Sequence, residues 1–106
     1  MTETKIYVGL NDSETLEQKQ DTDVFVSVLR HVCRSYSVAV SYGVVHGSYM
    51  HEDGRYTDEN TLVLSLIDAD EKVIDEIAKD LCVFFHQESV LITKDEVRAY
   101  YIKESL

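Results

Sequence analysis

The sequence contains no proline, no tryptophan and only four glycines in its 106 residues. Disordered segments and flexible linkers are usually rich in proline or glycine, so this composition indicates one folded domain over residues 1–106. No apolar run approaches the roughly 20 residues of a membrane-spanning helix. The opening stretch, MTETKIYVGL, lacks the basic and apolar regions of a signal peptide. We therefore expect a cytoplasmic protein that does not bind membranes.

Cysteine is scarce as well, and familiar catalytic motifs are missing from the sequence. Cys33 and Cys82 fall among apolar residues of predicted helices, which is typical of reduced core thiols. The chain has no Gly-x-Ser-x-Gly motif, and GVVHGSY lacks the lysine of a phosphate-binding loop. The sequence thus favours a protein that is not an enzyme and that holds no cofactor.

Positive charge is the third shortage. Ten lysines and arginines face 20 aspartates and glutamates, which gives a net charge of −10. Such a chain repels phosphate backbones, so direct binding of nucleic acid is disfavoured. The same field attracts a basic protein surface, including one built to hold nucleic acid. Acidity also keeps a small protein soluble, and composition alone does not choose between these roles.

Two amphipathic helices are predicted from the spacing of apolar residues. The first begins at Asp21 or Thr22, after which apolar side chains recur every four positions. The second spans residues 68–87 and has a broad apolar face opposite a charged one. Within it, Asp68 and Glu71 have the spacing of a capping box.

Segments with period-two alternation predict five strands, and Asp53-Gly54 predicts a hairpin turn between the second and third of them. The predicted strands are 5–10, 37–46, 61–67, 89–93 and 97–102. The order β-α-β-β-α-β, followed by one extra C-terminal strand, predicts an α+β fold. Specifically, we expect a ferredoxin-like split βαβ sandwich with an antiparallel sheet and two helices on one face.

This topology brings the loop 11–21, the hairpin tip 47–60 and the turn 86–88 to the same end of the sheet. That end, called the acidic end below, collects most of the uncompensated negative charge. Its carboxylates are Asp12, Glu14, Glu17, Asp21, Glu52, Asp53, Asp58, Glu59 and Glu88. Because only Lys19 and Arg55 oppose them, we expect a field that steers a basic partner and weakens as salt rises.

His46, His51 and His86 also fall at or near the acidic end. Histidines among carboxylates have the composition of a metal site. The spacing matches no compact ligand motif, and residues 46 and 51 point to opposite faces of a strand. Partly exposed loop histidines are the alternative.

The sheet face turned away from the helices is predicted to be small and apolar, with Tyr7, Val45, Val63 and Leu91 among its members. An exposed sheet face normally carries charges. We therefore expect this face to be covered by the extra C-terminal strand, by a partner, or by a second copy in a homodimer.

Two stretches resemble small ferredoxin-like proteins of bacteria and phages. They are GSYMHEDGRYTDENTLVLSL, residues 47–66, and HQESVLI, residues 86–92. In the proteins that these stretches resemble, a hairpin leads into an NTLVL-like strand, and QESVL follows the second helix. The resemblance implies the fold and implies no reaction.

We therefore predict an interaction protein that uses its acidic end to bind a basic protein surface. If it is phage-encoded, it would inhibit a nucleic-acid-binding machine by mimicking a phosphate backbone. The predicted partner-binding residues are Asp12, Glu14, Glu17, Tyr49, Glu52, Asp53, Tyr56, Asp58 and Glu59. The alternative is a small-ligand or metal-binding dimeric module, with or without enzymatic activity, that uses the loop histidines and carboxylates.

Overall fold

The computed structural model describes residues 1–50 and 53–105, which form a four-stranded antiparallel sheet and two helices. The strands lie across the sheet in the order β2-β3-β1-β4. This is the predicted split βαβ arrangement, and the α+β, ferredoxin-like fold class is confirmed. The elements are β1 (Thr2–Gly9), α1 (Thr22–Ser35), β2 (Ser41–Met50), β3 (Tyr56–Ile67), α2 (Glu71–Phe84) and β4 (Leu91–Glu96).

The N-cap of the second helix lies two residues later than the sequence suggests. Its N-cap is Asp70, whose side chain accepts hydrogen bonds from the backbone N–H groups of Lys72 and Val73. The predicted capping role of Asp68 is therefore wrong. Asp68 instead accepts a hydrogen bond from the backbone N–H of Thr2, because the chain is still leaving the sheet at that point.

The two helices pack side by side on one face of the sheet. The ring of Phe25 in α1 meets the ring of Phe85 edge-on, with 4.9 Å between ring centroids. The hydroxyl of Tyr36 donates a 2.8 Å hydrogen bond to Asp80, which links the end of α1 to α2. Cys33 is buried between these elements, and burial raises the pKa of its thiol.

Alternation along the strands builds the core, as predicted. Ile6 and Val8 of β1 are fully buried beneath the helices, and so are the leucines at every second position of β3. The helices contribute their apolar stripes to the same cluster. Its members are Ile6, Val8, Leu10, Phe25, Leu29, Val32, Cys33, Leu62, Leu64, Leu66, Ile74, Ile77, Ala78, Leu81 and Phe85.

A two-stranded ribbon extends the sheet at the acidic end. β3 pairs with β1 only from Thr61 to Ile67, whereas β2 pairs with β3 along its whole length, out to Met50 opposite Tyr56. Residues 46–50 and 56–60 therefore project beyond β1, and we call them the ribbon. The turn contains Gly54 at a φ of 86°, a left-handed conformation that glycine adopts without strain, which confirms the predicted hairpin turn.

The predicted extra C-terminal strand at 97–102 is wrong for the chain by itself. Residues 91–96 form β4, which continues past the predicted strand end at residue 93 and pairs with β1 down to Thr2. Val97 still donates a hydrogen bond to the carbonyl of Met1. Residues 98–105 are exposed and have no regular secondary structure.

The sheet face opposite the helices is largely uncovered in the single chain, so the residues after β4 do not shield it. Val45 is 46% exposed on this face, Ile67 is 40% exposed and Leu91 is 59% exposed. Coverage by a partner or by a second copy stays a prediction.

Neither helix in residues 1–50 and 53–105 is long and apolar enough to cross a membrane. The cytoplasmic location expected from the sequence stays a prediction.

Candidate functional site

Three segments that are distant in the sequence are joined by hydrogen bonds at the acidic end. Asn11, at the start of the 11–21 loop, donates through its side chain to the carbonyl of Asp58 in the ribbon, at 3.2 Å. The side chain of Gln87 donates to the carbonyl of Asn11. Ser13 donates its backbone N–H to the carbonyl of His86, at 3.1 Å. The predicted meeting of the loop, the hairpin and the turn after α2 is therefore observed.

Glu59 is the carboxylate at the centre of this junction. Its Oε2 accepts a 3.0 Å hydrogen bond from the backbone N–H of Asn11, and the side chain is partly buried. It lies against Gly9, where an added Cβ would be only 2.6 Å from Oε2. A larger residue at position 9 would displace the carboxylate, so the glycine permits this close approach.

Asp12 stabilises the loop instead of facing solvent. Its Oδ1 accepts hydrogen bonds from the backbone N–H groups of Thr15, at 3.1 Å, and Glu14, at 2.9 Å. Its Oδ2 lies 3.6 Å from Lys19 Nζ and 3.6 Å from His86 Nδ1. These two backbone hydrogen bonds, helped by the nearby positive charge, hold the pKa of Asp12 below its ordinary value of 3.8.

The substitution Asp12→Asn is expected to reduce folding stability at pH 7 and to have less effect in acid. A carboxyl whose pKa is lowered by folding contributes stability above its unfolded pKa, and this contribution is lost as pH falls through the folded pKa. Urea unfolding of both proteins should therefore show a gap in midpoint at pH 7 that closes below pH 3.8. A gap that stays constant down to pH 2 would contradict this role.

Two clefts lie beside the ribbon, and Glu59 and Asn11 line both. The first, the Tyr49 cleft, has a volume of about 290 Å³. The second, the His46 cleft, has a volume of about 510 Å³. Small-molecule sites typically occupy roughly 300–1,000 Å³, so both are of a size that suits a metabolite or part of one.

The polar groups of the clefts suit a ligand with many hydrogen-bonding positions. The Tyr49 cleft is lined by Asn11, Asp12, Ser13, Leu16, Tyr49, Thr57, Glu59, Gln87, Glu88 and Ser89. The His46 cleft is lined by Asn11, Gln18, His46, Gly47, Ser48, Asp58, Glu59 and Asn60. Neither lining contains a lysine or an arginine, so a cationic or neutral ligand fits this electrostatic environment better than a phosphate does.

Tyr49 and His46 are positioned by contacts within the ribbon and its neighbours. The Tyr49 ring folds over Gly47, where an added Cβ would lie 2.5 Å from the tyrosine hydroxyl. His46 contacts the side-chain oxygen of Asn60 through Nδ1, and Asn60 in turn donates to Gln18 at 2.9 Å. The ribbon is thus tied to the 11–21 loop on the side of the His46 cleft.

The nine predicted partner-binding residues do not form one uniform surface. Tyr49, Glu59 and Asp12 line the Tyr49 cleft, and the Asp12 carboxylate also accepts the hydrogen bonds within the 11–21 loop described above. Asp53 forms a 2.7 Å ion pair with Arg55. Four others are exposed, and Glu52 lies outside the described residues; the four are Glu14, Glu17, Tyr56 and Asp58.

The alternative metal site is not assembled by the described residues. His46 contacts Asn60, His86 lies beside Asp12, and His51 lies outside the described residues. Across 1–50 and 53–105, no three His, Cys, Asp or Glu side chains are grouped so that they could hold a metal ion.

Sequence reasoning missed Gly9, Asn11 and Gln87 as members of the site. A glycine within an alternating strand signals a bulge or a close approach, so Gly9 carried a usable signal. Asn11 and Gln87 carried none, because each acts through a contact between segments remote in the sequence, 76 positions apart for their mutual hydrogen bond.

Comparison with known proteins identifies the fold class and gives no family. No protein-family model matches the chain. No curated protein matches its sequence.

Solved structures do share the fold. A phage SAM lyase in complex with S-methyl-5'-thioadenosine has a TM-score of 0.68 at 21% sequence identity, over 90% of this chain and 80% of that one. A phage SAM lyase in the apo state has a TM-score of 0.69 at 18% identity, over 96% and 92% of the two chains. CutA1 from Pyrococcus horikoshii OT3 has a TM-score of 0.58 at 11% identity, over 95% and 87%. At these identities the likeness extends to the fold alone, and at that level it supports the resemblance to phage proteins.

Proposed function

We propose that the acidic end is a small-ligand site that binds S-adenosylmethionine (SAM), and that the protein is a lyase releasing S-methyl-5'-thioadenosine. This proposal develops the small-ligand alternative drawn from the sequence. The observation that carries it is the partly buried Glu59 carboxylate, which is shared by two adjacent clefts of metabolite size. The fold it shares with a phage SAM lyase, over most of both chains, supplies the candidate ligand.

The chemistry of the clefts agrees with such a ligand. SAM carries a sulfonium cation, and a carboxylate in a partly desolvated cleft attracts it more strongly than one in bulk water. The amide side chains of Asn11, Gln18 and Gln87 offer both donors and acceptors to an adenine and a ribose. Tyr49, half exposed in its cleft, presents a ring on which a base stacks, a contact that contributes about 1–3 kcal/mol in single-stranded nucleic-acid complexes.

In the proposed reaction, the bond between the sulfonium sulfur and the carbon chain of the amino acid breaks. The electron pair of that bond goes to sulfur, which becomes the neutral thioether of S-methyl-5'-thioadenosine. The substrate's own carboxylate attacks that carbon as the bond to sulfur breaks, so a C–O bond replaces the C–S bond and the amino-acid chain leaves as a lactone, without water or another reactant. Because the positive charge on sulfur disappears, Glu59 holds the substrate more tightly than the thioether product, which favours product release.

Isothermal titration calorimetry with S-methyl-5'-thioadenosine tests the binding step. We expect saturable binding that is weaker for adenosine, which lacks the thioether. In a separate urea-unfolding measurement, S-methyl-5'-thioadenosine at 100 times its Kd should raise the free energy of unfolding by about 2.7 kcal/mol. An absence of binding by both SAM and the thioether at millimolar concentration would refute the proposal.

A second candidate is the interaction protein expected from the sequence, an inhibitor that mimics a phosphate backbone. Glu14, Glu17 and Asp58 favour it, because they are exposed at the same end as the clefts. Reversing Glu14 and Glu17 to lysine should then abolish salt-sensitive capture of a basic nucleic-acid-handling protein, since charge complementarity governs such encounters. Unchanged capture after this charge reversal would refute the inhibitor candidate. Because neither Glu14 nor Glu17 lines the two clefts, the reversal leaves the small-ligand proposal untouched.

A further inference from the structure

The outer edge of β2 lacks the features that normally protect an edge strand. β2 is ten residues long and pairs with β3 alone among the described strands, so none of these strands lies beside one row of its backbone N–H and C=O groups. Its register with β3 runs without a bulge from Ser41 to Met50. The strand, SYGVVHGSYM, contains no proline and no Asp, Glu, Lys or Arg. Natural sheets usually blunt such edges with charges, bulges or proline, because a bare edge pairs with other chains.

The opposite edge of the sheet is protected in the usual way. β4 is only six residues long, and three of them, Lys94, Asp95 and Glu96, are charged and exposed. The contrast indicates that β2 is the edge built to receive another strand.

The same chain contains a strand-like segment that pairs with no strand in the part of the chain that the structure describes. Residues 98–102 read RAYYI, a sequence of high β-propensity. Tyr100 is 74% exposed, Tyr101 is 80% exposed and Ile102 is 86% exposed. Exposed apolar side chains of this kind often mark a surface that contacts another protein chain. This segment is therefore a candidate for packing on such a surface.

We propose that residues 98–102 of one copy add as a strand to the outer edge of β2 in a second copy of this chain. Strand addition would pair the open backbone groups of β2 with those of the segment. Alternation places Tyr42 and Val44 on one face of β2 and Val45 and Tyr49 on the other.

Because side chains alternate along a strand, Tyr100 and Tyr101 would lie on opposite faces of the added strand. Each ring would then be beside apolar side chains of β2 on the same face. The segment carries the positive charge of Arg98 and contains no Asp or Glu, within a protein of net charge −10. This favours its approach to another copy. The proposal rests on the edge of β2 and on residues 98–102 and does not depend on the small-ligand proposal, although Tyr49 and the 46–48 stretch of β2 also line the two clefts.

The test is a complementation experiment on full-length variants, with mass measured by light scattering after gel filtration. The edge variant carries Tyr42→Asp and Val44→Asp, and the tail variant carries Tyr100→Asp and Ile102→Asp. The wild type should have a mass of two or more chains of 12.2 kDa each, whereas each variant alone should have the mass of one chain. Mixing the two variants should restore a 1:1 complex, because each retains the half that the other has lost.

Circular dichroism of each variant checks that the fold is kept, and Leu91→Asp on the uncovered sheet face is the matched control, which should associate as the wild type does. A single-chain wild type at 100 µM would overturn the proposal, and so would variants that fail to complement each other. Separation of copies by Leu91→Asp alone would also overturn it, and would assign the contact to the open sheet face instead.

Discussion

The substitution Glu59→Gln is expected to lower kcat/KM for SAM cleavage by about fivefold to 1,000-fold. The carboxylate and a sulfonium about 4 Å apart attract by about 1 kcal/mol in water and about 4 kcal/mol at an effective dielectric of 20, and each 1.4 kcal/mol is a factor of ten. Glutamine keeps the size of the side chain and retains an oxygen that can accept from the N–H of Asn11. Most of the loss should appear in KM, because the charge on sulfur is greatest in the ground state.

Two comparisons make this prediction specific. Affinity for S-methyl-5'-thioadenosine, a neutral thioether, should fall much less than affinity for SAM. Asp75→Asn removes one negative charge from the exposed side of α2, outside both clefts, and should leave KM unchanged. Equal weakening of both ligands by Glu59→Gln would mean that the carboxylate does not meet the sulfonium.

The substitution Leu64→Ala should reduce the free energy of unfolding by about 2–5 kcal/mol. Leu64 is fully buried in β3, where it pairs with Ile6 on one side and Tyr42 on the other and packs into the core beneath the helices. Truncation removes buried apolar surface and leaves a cavity that the surrounding side chains fill only partly. Since small domains are stable by only about 5–15 kcal/mol, this is a large share of the total.

Urea unfolding followed by circular dichroism measures this effect, and Leu91→Ala provides the matched control. Leu91 is the same residue type, but it is 59% exposed in β4 and outside the core cluster. Its truncation should cost less than about 1 kcal/mol, as most surface substitutions do. Similar losses for the two variants would contradict the assigned core.

The fold was largely predictable because its elements are locally consistent. The apolar stripe of α2 and the alternation of Leu62, Leu64 and Leu66 each predict one structure, and the observed elements follow them. Element ends were less predictable. Two aspartates could cap α2, and the chain geometry after β3 assigns the cap to Asp70 instead of Asp68.

Residues 98–102 illustrate a different limit. Their composition predicts a strand, yet a strand forms only beside a partner strand, and no strand of the described residues pairs with them. A local sequence pattern thus indicates a preferred secondary structure, but a strand forms only where the tertiary structure places another strand beside it.

The candidate site was predictable in location and not in detail. Topology alone collects Glu59 and Tyr49 at the acidic end with the 11–21 loop. The sequence does not distinguish the role of Glu59, which lies between two clefts, from that of Asp12, which accepts hydrogen bonds within the loop. That distinction depends on hydrogen bonds between remote segments, which charge patterning does not reveal.

The most direct measurement is to incubate the purified protein with SAM and to follow the reaction by liquid chromatography and mass spectrometry. We expect time-dependent formation of S-methyl-5'-thioadenosine at a rate proportional to protein concentration, and, at SAM concentrations below KM, a rate strongly reduced by Glu59→Gln. SAM that decays no faster than in buffer, with a correctly folded protein present, would contradict the proposed lyase.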